Sequence, residues 1–197
     1  MEQDSLKAAV LLSGSGRTLE NFLAKKAAGE LAVDICAVVS SRPNVRGVEI
    51  ARENGIPCEV FRRRDYDSID AHNAAINGWL ESHQPRIIIL AGYLCFYIQP
   101  QWFNGPVVNI HPALLPKYGG QGFYGDRVHE AVLVAGDPET GCTVHLVDDE
   151  YDHGRILGQQ KVPVLPGDDV AALAERVFAA ECELYPRMLS LLAAEMT

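Results

Sequence analysis

The chain contains no C-x-x-C pair, and its five cysteines (Cys36, Cys58, Cys95, Cys142, Cys182) are odd in number and widely spaced. Neither a disulfide framework nor a zinc site fits that pattern, so they read as small apolar fillers. No uninterrupted apolar run is long enough to cross a bilayer. The polar start Met1-Glu2-Gln3-Asp4-Ser5 is unlike a secretory signal, and a cytoplasmic location is expected. Positive charge is scarce: 17 Lys and Arg stand against 26 Asp and Glu, a net charge of -9. A general nucleic-acid surface, which must neutralise phosphates, is argued against on that ground. Linkers, internal repeats and low-complexity tracts are also missing. What remains is a 197-residue chain, 48% hydrophobic and 22% charged, long enough for a single domain with a sizeable core.

Its apolar runs are short and alternate with helical spacing. Residues 8–12, 35–39, 86–91 and 106–110 read as buried strands from their aliphatic and β-branched content. Between them, 18–28, 45–54 and 66–82 carry helical spacing, closed by Ala28-Gly29, Asn54-Gly55-Ile56-Pro57 and Gln84-Pro85. The alternation predicts an α/β fold, a Rossmann-like, mainly parallel twisted sheet with helices on both faces and right-handed crossovers. The later half changes character. Residues 142–147 and 156–164 read as strands flanking an acidic loop, and 168–192 as a long terminal helix capped by Asp168 or Asp169.

Val107-Val108-Asn109-Ile110-His111 places an amide and an imidazole two residues apart at the end of an apolar strand. Residues i and i+2 of a strand share a face, so both side chains project together where open α/β sheets bind ligands. An amide N–H can polarise a carbonyl, and an imidazole moves a proton near neutral pH. The pair suits acyl transfer to an amine better than redox chemistry. It also suits it better than metal binding, since no second His or Cys sits at ligand spacing. A strand end with a satisfied histidine is the competing reading. Earlier, Ser13-Gly14-Ser15-Gly16-Arg17-Thr18 lies between a strand and a helix, where glycines and a helix start favour a phosphate. It is neither G-x-G-x-x-G nor a P-loop, and a tight turn with no ligand is its alternative. The run Arg62-Arg63-Arg64 reads first as solvated surface. So do His72, His83 and His129 as structural histidines on helices, and His145 on a strand.

Asn109-Ile110-His111-Pro112, followed by Leu114-Leu115-Pro116, resembles the signature of the folate-dependent formyltransferases. Two further segments are similar to the branch that acts on glycinamide ribonucleotide (GAR), in the same order along the chain. Val10-Leu11-Leu12-Ser13-Gly14-Ser15-Gly16-Arg17-Thr18-Leu19 resembles its phosphate loop. Gly141-Cys142-Thr143-Val144-His145 with Asp148-Asp149-Glu150-Tyr151-Asp152-His153-Gly154 resembles its folate loop and catalytic aspartate. The resemblance spans about residues 8–188. It implies one formyltransferase domain over 1–197, with a phosphate-binding half at about 8–103 and a catalytic and folate-binding half at about 104–197. The implied reaction moves a formyl group from 10-formyltetrahydrofolate, a co-substrate, to the amine of GAR in purine synthesis, with no metal, nucleic acid or membrane involved.

By the same resemblance, Asn109, His111 and Asp152 are catalytic. Gly16, Arg17, Thr18 and Glu181 hold GAR. Leu94, Cys95, Phe96, Tyr97, Asn109, Asp148, Asp149, Glu150 and Tyr151 face the folate. A carboxylate beside His111 is expected to raise its pKa. The chain departs from the family at several points. Arg17-Thr18 stands where the family has Ser-Asn, Cys95 and Ile69 stand where arginines are familiar, and the stretch 119–126 is longer and richer in glycine. The alternatives are another formyl- or hydroxymethyl-transferase of this fold, a formyltetrahydrofolate hydrolase, or a non-catalytic nucleotide-binding module.

Overall fold

Leu6–Leu12 is a strand buried on both faces, exposed only at Lys7, and such a run is stable only between neighbouring strands and under covering layers. In the computed structural model, which describes residues 6–196, this is β1. It is followed by α1 (Arg17–Ala27), β2 (Val33–Ser40), α2 (Arg46–Glu53), β3 (Cys58–Val60), α3 (Ile69–Glu81), β4 (Ile87–Leu90) and β5 (Val107–His111). Next come α4 (Asp126–Ala135), β6 (Glu139–Leu146), β7 (Ile156–Pro163) and α5 (Val170–Glu195). The strands form one seven-stranded sheet in the order β3-β2-β1-β4-β5-β6-β7. β1 pairs in parallel with β2 and β4, and β2 with β3, whereas β6 and β7 pair antiparallel. The α/β class and mainly parallel sheet expected from the alternating pattern are present.

Two compact units share the chain: one runs through Val108 and resumes at Leu189, and the other spans Asn109 to Met188. In the first, Val10, Leu11, Leu12, Val38, Val39 and Ile87 to Ile89 are fully buried, and α1 turns Leu19 and Phe22 to the core. Ser68 caps α3 by accepting the Ala71 N–H at 3.0 Å. This cap explains why the helical spacing read over 66–82 becomes a helix only from Ile69, preceded by a short 3-10 turn at Arg63–Asp65. Two buried asparagines of α3 reach past the core to the segment after β4. Asn73 donates to Phe96 C=O and accepts Ile98 N–H, at 3.0 and 2.9 Å. Asn77 donates to Ile98 C=O at 3.0 Å and accepts the Tyr97 hydroxyl at 2.7 Å.

In the second unit, β6 and β7 make a hairpin with a register shift at Val144/His145. Thr143 locks the chain after β5 to this hairpin. Its hydroxyl donates to Ala113 C=O at 2.6 Å and accepts from Leu115 N–H at 3.0 Å and Gln159 Nε2 at 2.9 Å. Leu173, Val177, Leu184 and Tyr185 form the buried stripe of α5. A side chain at Gly158 would strike Met188 Sδ at 2.5 Å, so the helix lies directly on β7 there. β3 had no counterpart in the sequence reading, and α4 was anticipated only in that His129 was read as helical. β3 is only three residues long, and α4 follows a glycine-rich stretch that hides its start.

Candidate active site

β5 runs one residue further than the apolar pattern suggested, through His111, and this puts Asn109 and His111 on one side of the strand. Asp152 comes from the β6–β7 loop, at φ 54°. Its carboxylate is the hub of the site. Oδ2 lies 3.3 Å from His111 Nδ1 and accepts the Gly120 N–H at 3.0 Å. Oδ1 accepts from Asn109 Nδ2 at 3.4 Å and lies 3.5 Å from His145 Nε2. The three side chains assigned to catalysis thus meet within hydrogen-bonding range.

His145, read as a structural histidine, stands in the same cluster. Its Nδ1 faces the Leu146 carbonyl at 2.8 Å, which only accepts, so the proton sits on Nδ1. Nε2 faces the Asn109 amide nitrogen at 3.1 Å and the Asp152 carboxylate at 3.5 Å; the neutral ring takes the amide with its lone pair, and the protonated ring donates to the carboxylate. Asn109 is therefore oriented from two sides, and both contacts use the same amide nitrogen. His111 Nε2 lies 2.7 Å from the Tyr118 carbonyl, so it too carries a proton and donates. Two partners here are backbone groups, Tyr118 C=O and Gly120 N–H, which leave no side-chain signature in a sequence. Only the strand alternation of β6 hinted at His145.

The electrostatics differ from the expectation of a raised His111. Burial pushes the imidazole down; the Asp152 carboxylate and the Tyr118 carbonyl push it back up, and His145 opposes them. The net position is below the ordinary imidazole value, because His111 is only 4% exposed. For Asp152, burial acts upward but is outweighed by the hydrogen bond with His145, the charge of His111 and the Gly120 N–H. Its carboxyl sits below the usual range.

In the first unit, Gly16 is the residue before α1, left-handed at φ 73°, and no side chain caps the helix. Arg17 is exposed and Thr18 half-buried at the helix start, where first-turn N–H groups lack helical partners. Gly16 is fixed by more than backbone approach to an anion: a Cβ there would lie 2.4 Å from Gly47 Cα of α2. After β4, Leu94 N–H donates to Ser13 Oγ at 2.9 Å, and Ser13 meets Ser41 at 2.6 Å, tying this segment to the ends of β1 and β2. Leu94 is 48% exposed, and Cys95 and Phe96 are half-buried. Tyr97 is buried with its hydroxyl on Asn77, so its ring supports the segment from beneath. Cys95 lies within the field of Arg63 and Arg42. In the basic run, Arg62 binds Asp65 at 2.6 Å and Arg63 the Tyr66 carbonyl at 2.7 Å, while Arg64 is exposed.

Asp148, Asp149, Glu150 and Tyr151 are exposed on the β6–β7 loop. Glu181 is half-buried on α5, and its charge reaches the buried Cys142, whose thiol is pushed up to about 12, first by burial. Among the described residues no group of three or more His, Cys, Asp or Glu is placed to hold a metal, and no helix is long and apolar enough to cross a membrane.

The sequence pattern of the formyl transferase family (Formyl_trans_N) matches residues 6–189. A phosphoribosylglycinamide formyltransferase of Haemophilus influenzae is 35% identical over 93% of this chain and 85% of its own. A trifunctional purine biosynthetic protein of Drosophila melanogaster is 36% identical over 98% of this chain, which spans only 14% of that longer protein. Among solved structures, glycinamide ribonucleotide transformylase 1 from Symbiobacterium toebii superposes with a TM-score of 0.90 at 33% identity, over 98% of this chain and 90% of the other. With a matching pattern over nearly its whole length and relatives of this identity, the chain belongs to the formyl transferase family.

Proposed function

We propose that the protein transfers a formyl group from 10-formyltetrahydrofolate to the amine of GAR, a step of purine biosynthesis. The observation that carries this reading is the convergence of Asn109 and His111 on the Asp152 carboxylate at the end of β5, in a chain of this family. In the reaction the amine nitrogen bonds to the formyl carbon and the bond from that carbon to the folate nitrogen breaks. The amine loses a proton and the folate nitrogen gains one. Negative charge collects on the formyl oxygen in between, where a fixed N–H donor has its largest effect. His111 Nε2–H is that donor, and it must exchange the Tyr118 carbonyl for the formyl oxygen to act. Asp152 favours the protonated ring and takes part in moving the proton away from the amine. Asn109 shares the oxyanion and is kept in place by His145.

In this reading the stretch of about 8–103 carries the phosphate site and about 104–197 the transfer centre. The start of α1, with Arg17 and Thr18, receives the phosphate of GAR; Glu181 binds its sugar. Leu94, Cys95 and Phe96 wall the folate, together with the 148–151 loop. A cytoplasmic enzyme working on two small molecules is the setting. Absorbance assay of the folate product, with and without GAR, decides among the readings. GAR-dependent turnover supports transfer, turnover without GAR points to a hydrolase, and no turnover in either case refutes both. Arg17→Ala and Thr18→Ala are expected to raise KM for GAR while KM for formylfolate stays near wild type. If both KM values rise together, the loop serves the fold and not the phosphate.

A further inference from the structure

The loop between β6 and β7 is held shut by a single carboxylate. Asp148 Oδ1 accepts the Glu150 N–H at 3.0 Å, a side-chain turn at the loop's entry, and Oδ2 lies 2.9 Å from His153 Nδ1 at its exit. Below the loop, Leu146 N–H donates to Arg155 C=O at 2.9 Å, and a Cβ at Gly154 would sit 1.9 Å from the Leu146 carbonyl. The neck is therefore closely packed, and the clasp joins the two strands of the loop just beyond it. His153 directly follows Asp152, which adopts a left-handed φ of 54°, uncommon for a residue with a side chain although Asp accepts it more readily than most. The Asp152 carboxylate is held from inside by Gly120 N–H, His111 and Asn109. From outside, the clasp fixes the next residue along.

We propose that His153 is a positioning residue: by clasping Asp148 it holds the loop in the shape that presents Asp152 to His111 and the loop's main chain to the formylfolate. This rests on the formyl-transfer reading above. With His153 protonated and Asp148 ionised, the clasp is an ion pair. The hydrogen bond to Asp148, then its charge and that of Glu150, raise His153 above the ordinary imidazole value. The bond from His153 holds Asp148 below the usual carboxylate range, and His145 of β6 adds to that. The ionic clasp is thus complete between the carboxylate range, where Asp148 ionises, and the ordinary imidazole pKa of ~6.5, and it relaxes to a neutral contact as pH rises through the raised His153 value. Both side chains are exposed, 67% for His153 and 40% for Asp148, so solvent keeps the effect modest.

Two measurements test this. Proton NMR of the His153 ring, without substrates, reads the clasp itself. The wild-type midpoint is expected above ~6.5 and should fall back in Asp148→Asn; a wild-type midpoint at the ordinary value overturns the proposal. Initial rates across pH read its use. His153→Ala should raise KM for formylfolate by about two- to fivefold below the His153 midpoint, the scale of an exposed ion pair, with kcat little changed, and the difference should close above it. His153→Asn, which keeps a neutral donor, should recover part of the loss and show no step at that midpoint. Superimposed wild-type and His153→Ala profiles, with GAR-dependent turnover intact, overturn the positioning role and leave formyl transfer standing. A wild-type protein that never formylates GAR overturns the functional reading and the role built on it, while the NMR result still reports the clasp.

Discussion

His111 sits between two acceptors, the Tyr118 carbonyl at 2.7 Å and the Asp152 carboxylate at 3.3 Å, and only an imidazolium can satisfy both. Burial works against that charge and wins, so the resting ring titrates below the ordinary value. Protonation then becomes easier only when something else stabilises the cation, such as the negative charge that gathers on a reacting carbonyl. Asp152 is the strongest upward influence on the ring. Replacing it with asparagine keeps the shape, so the His111 midpoint should move still lower, and any activity that needs the cation should retreat to lower pH. We expect Asp152→Asn to lower kcat by at least roughly 10²-fold at neutral pH, comparable to the loss of one oxyanion donor. A kcat/KM profile and an NMR titration of His111 check this; a wild-type rate with an unmoved titration would sink the assignment. The Asn109 and His111 pairing was legible from strand parity alone. Asp152 was not, since it lies 41 positions beyond His111 and only family resemblance pointed to it.

The elements do more than carry these residues; several are tied by single polar side chains. Asn73 of α3 satisfies both Phe96 C=O and Ile98 N–H, so Asn73→Ala removes both of these bonds to the main chain beneath the 94–97 segment. A loss of about 1–3 kcal/mol is expected in denaturant unfolding, and a raised KM for formylfolate with GAR little affected. Thr143→Val should cost a similar amount, about 1–3 kcal/mol, because it removes the hydroxyl that Ala113, Leu115 and Gln159 share. Thr143→Ser should recover much of it, and a valine variant as stable as wild type would refute this account. The strands of the parallel part were legible because burial on both faces writes an unbroken apolar run. β3 was not, being too short for any period, and of α4 only the helical setting of His129 was read, its start masked by the glycine-rich approach. The same limit explains His145. Its place on a strand could be read, but the strand next to it in the sheet is a property of topology, and that decided its neighbours.

For the molecule as a whole, acid should act in two stages. His111 and His129 both titrate below the ordinary value because they are buried. A group of this kind supports the fold above the unfolded value and loses that support as pH falls through its lowered folded value, so stability should begin to decline below ~6.5. The carboxylates follow. Asp152 is held below the usual range and Asp168 is pushed down to about 2 by its bonds from Arg176 and the Leu165 N–H, so their support fades only below ~3.9. Melting temperatures between pH 7 and 3 would reveal the two declines, and a flat curve down to pH 5 would contradict the first. The overall α/β plan could be anticipated because alternating runs constrain a chain to few topologies, whereas the loop contacts depend on where separate turns end. The touching glycines at positions 16 and 47 carry an evolutionary consequence. A side chain at position 16 would drive into the Gly47 main chain, and one at position 47 into Leu12 and the Gly14 carbonyl, so neither glycine has room for a replacement. What has to be inherited there is a bare crossing of two backbones, a requirement met by the absence of side chains and not by the identity of any.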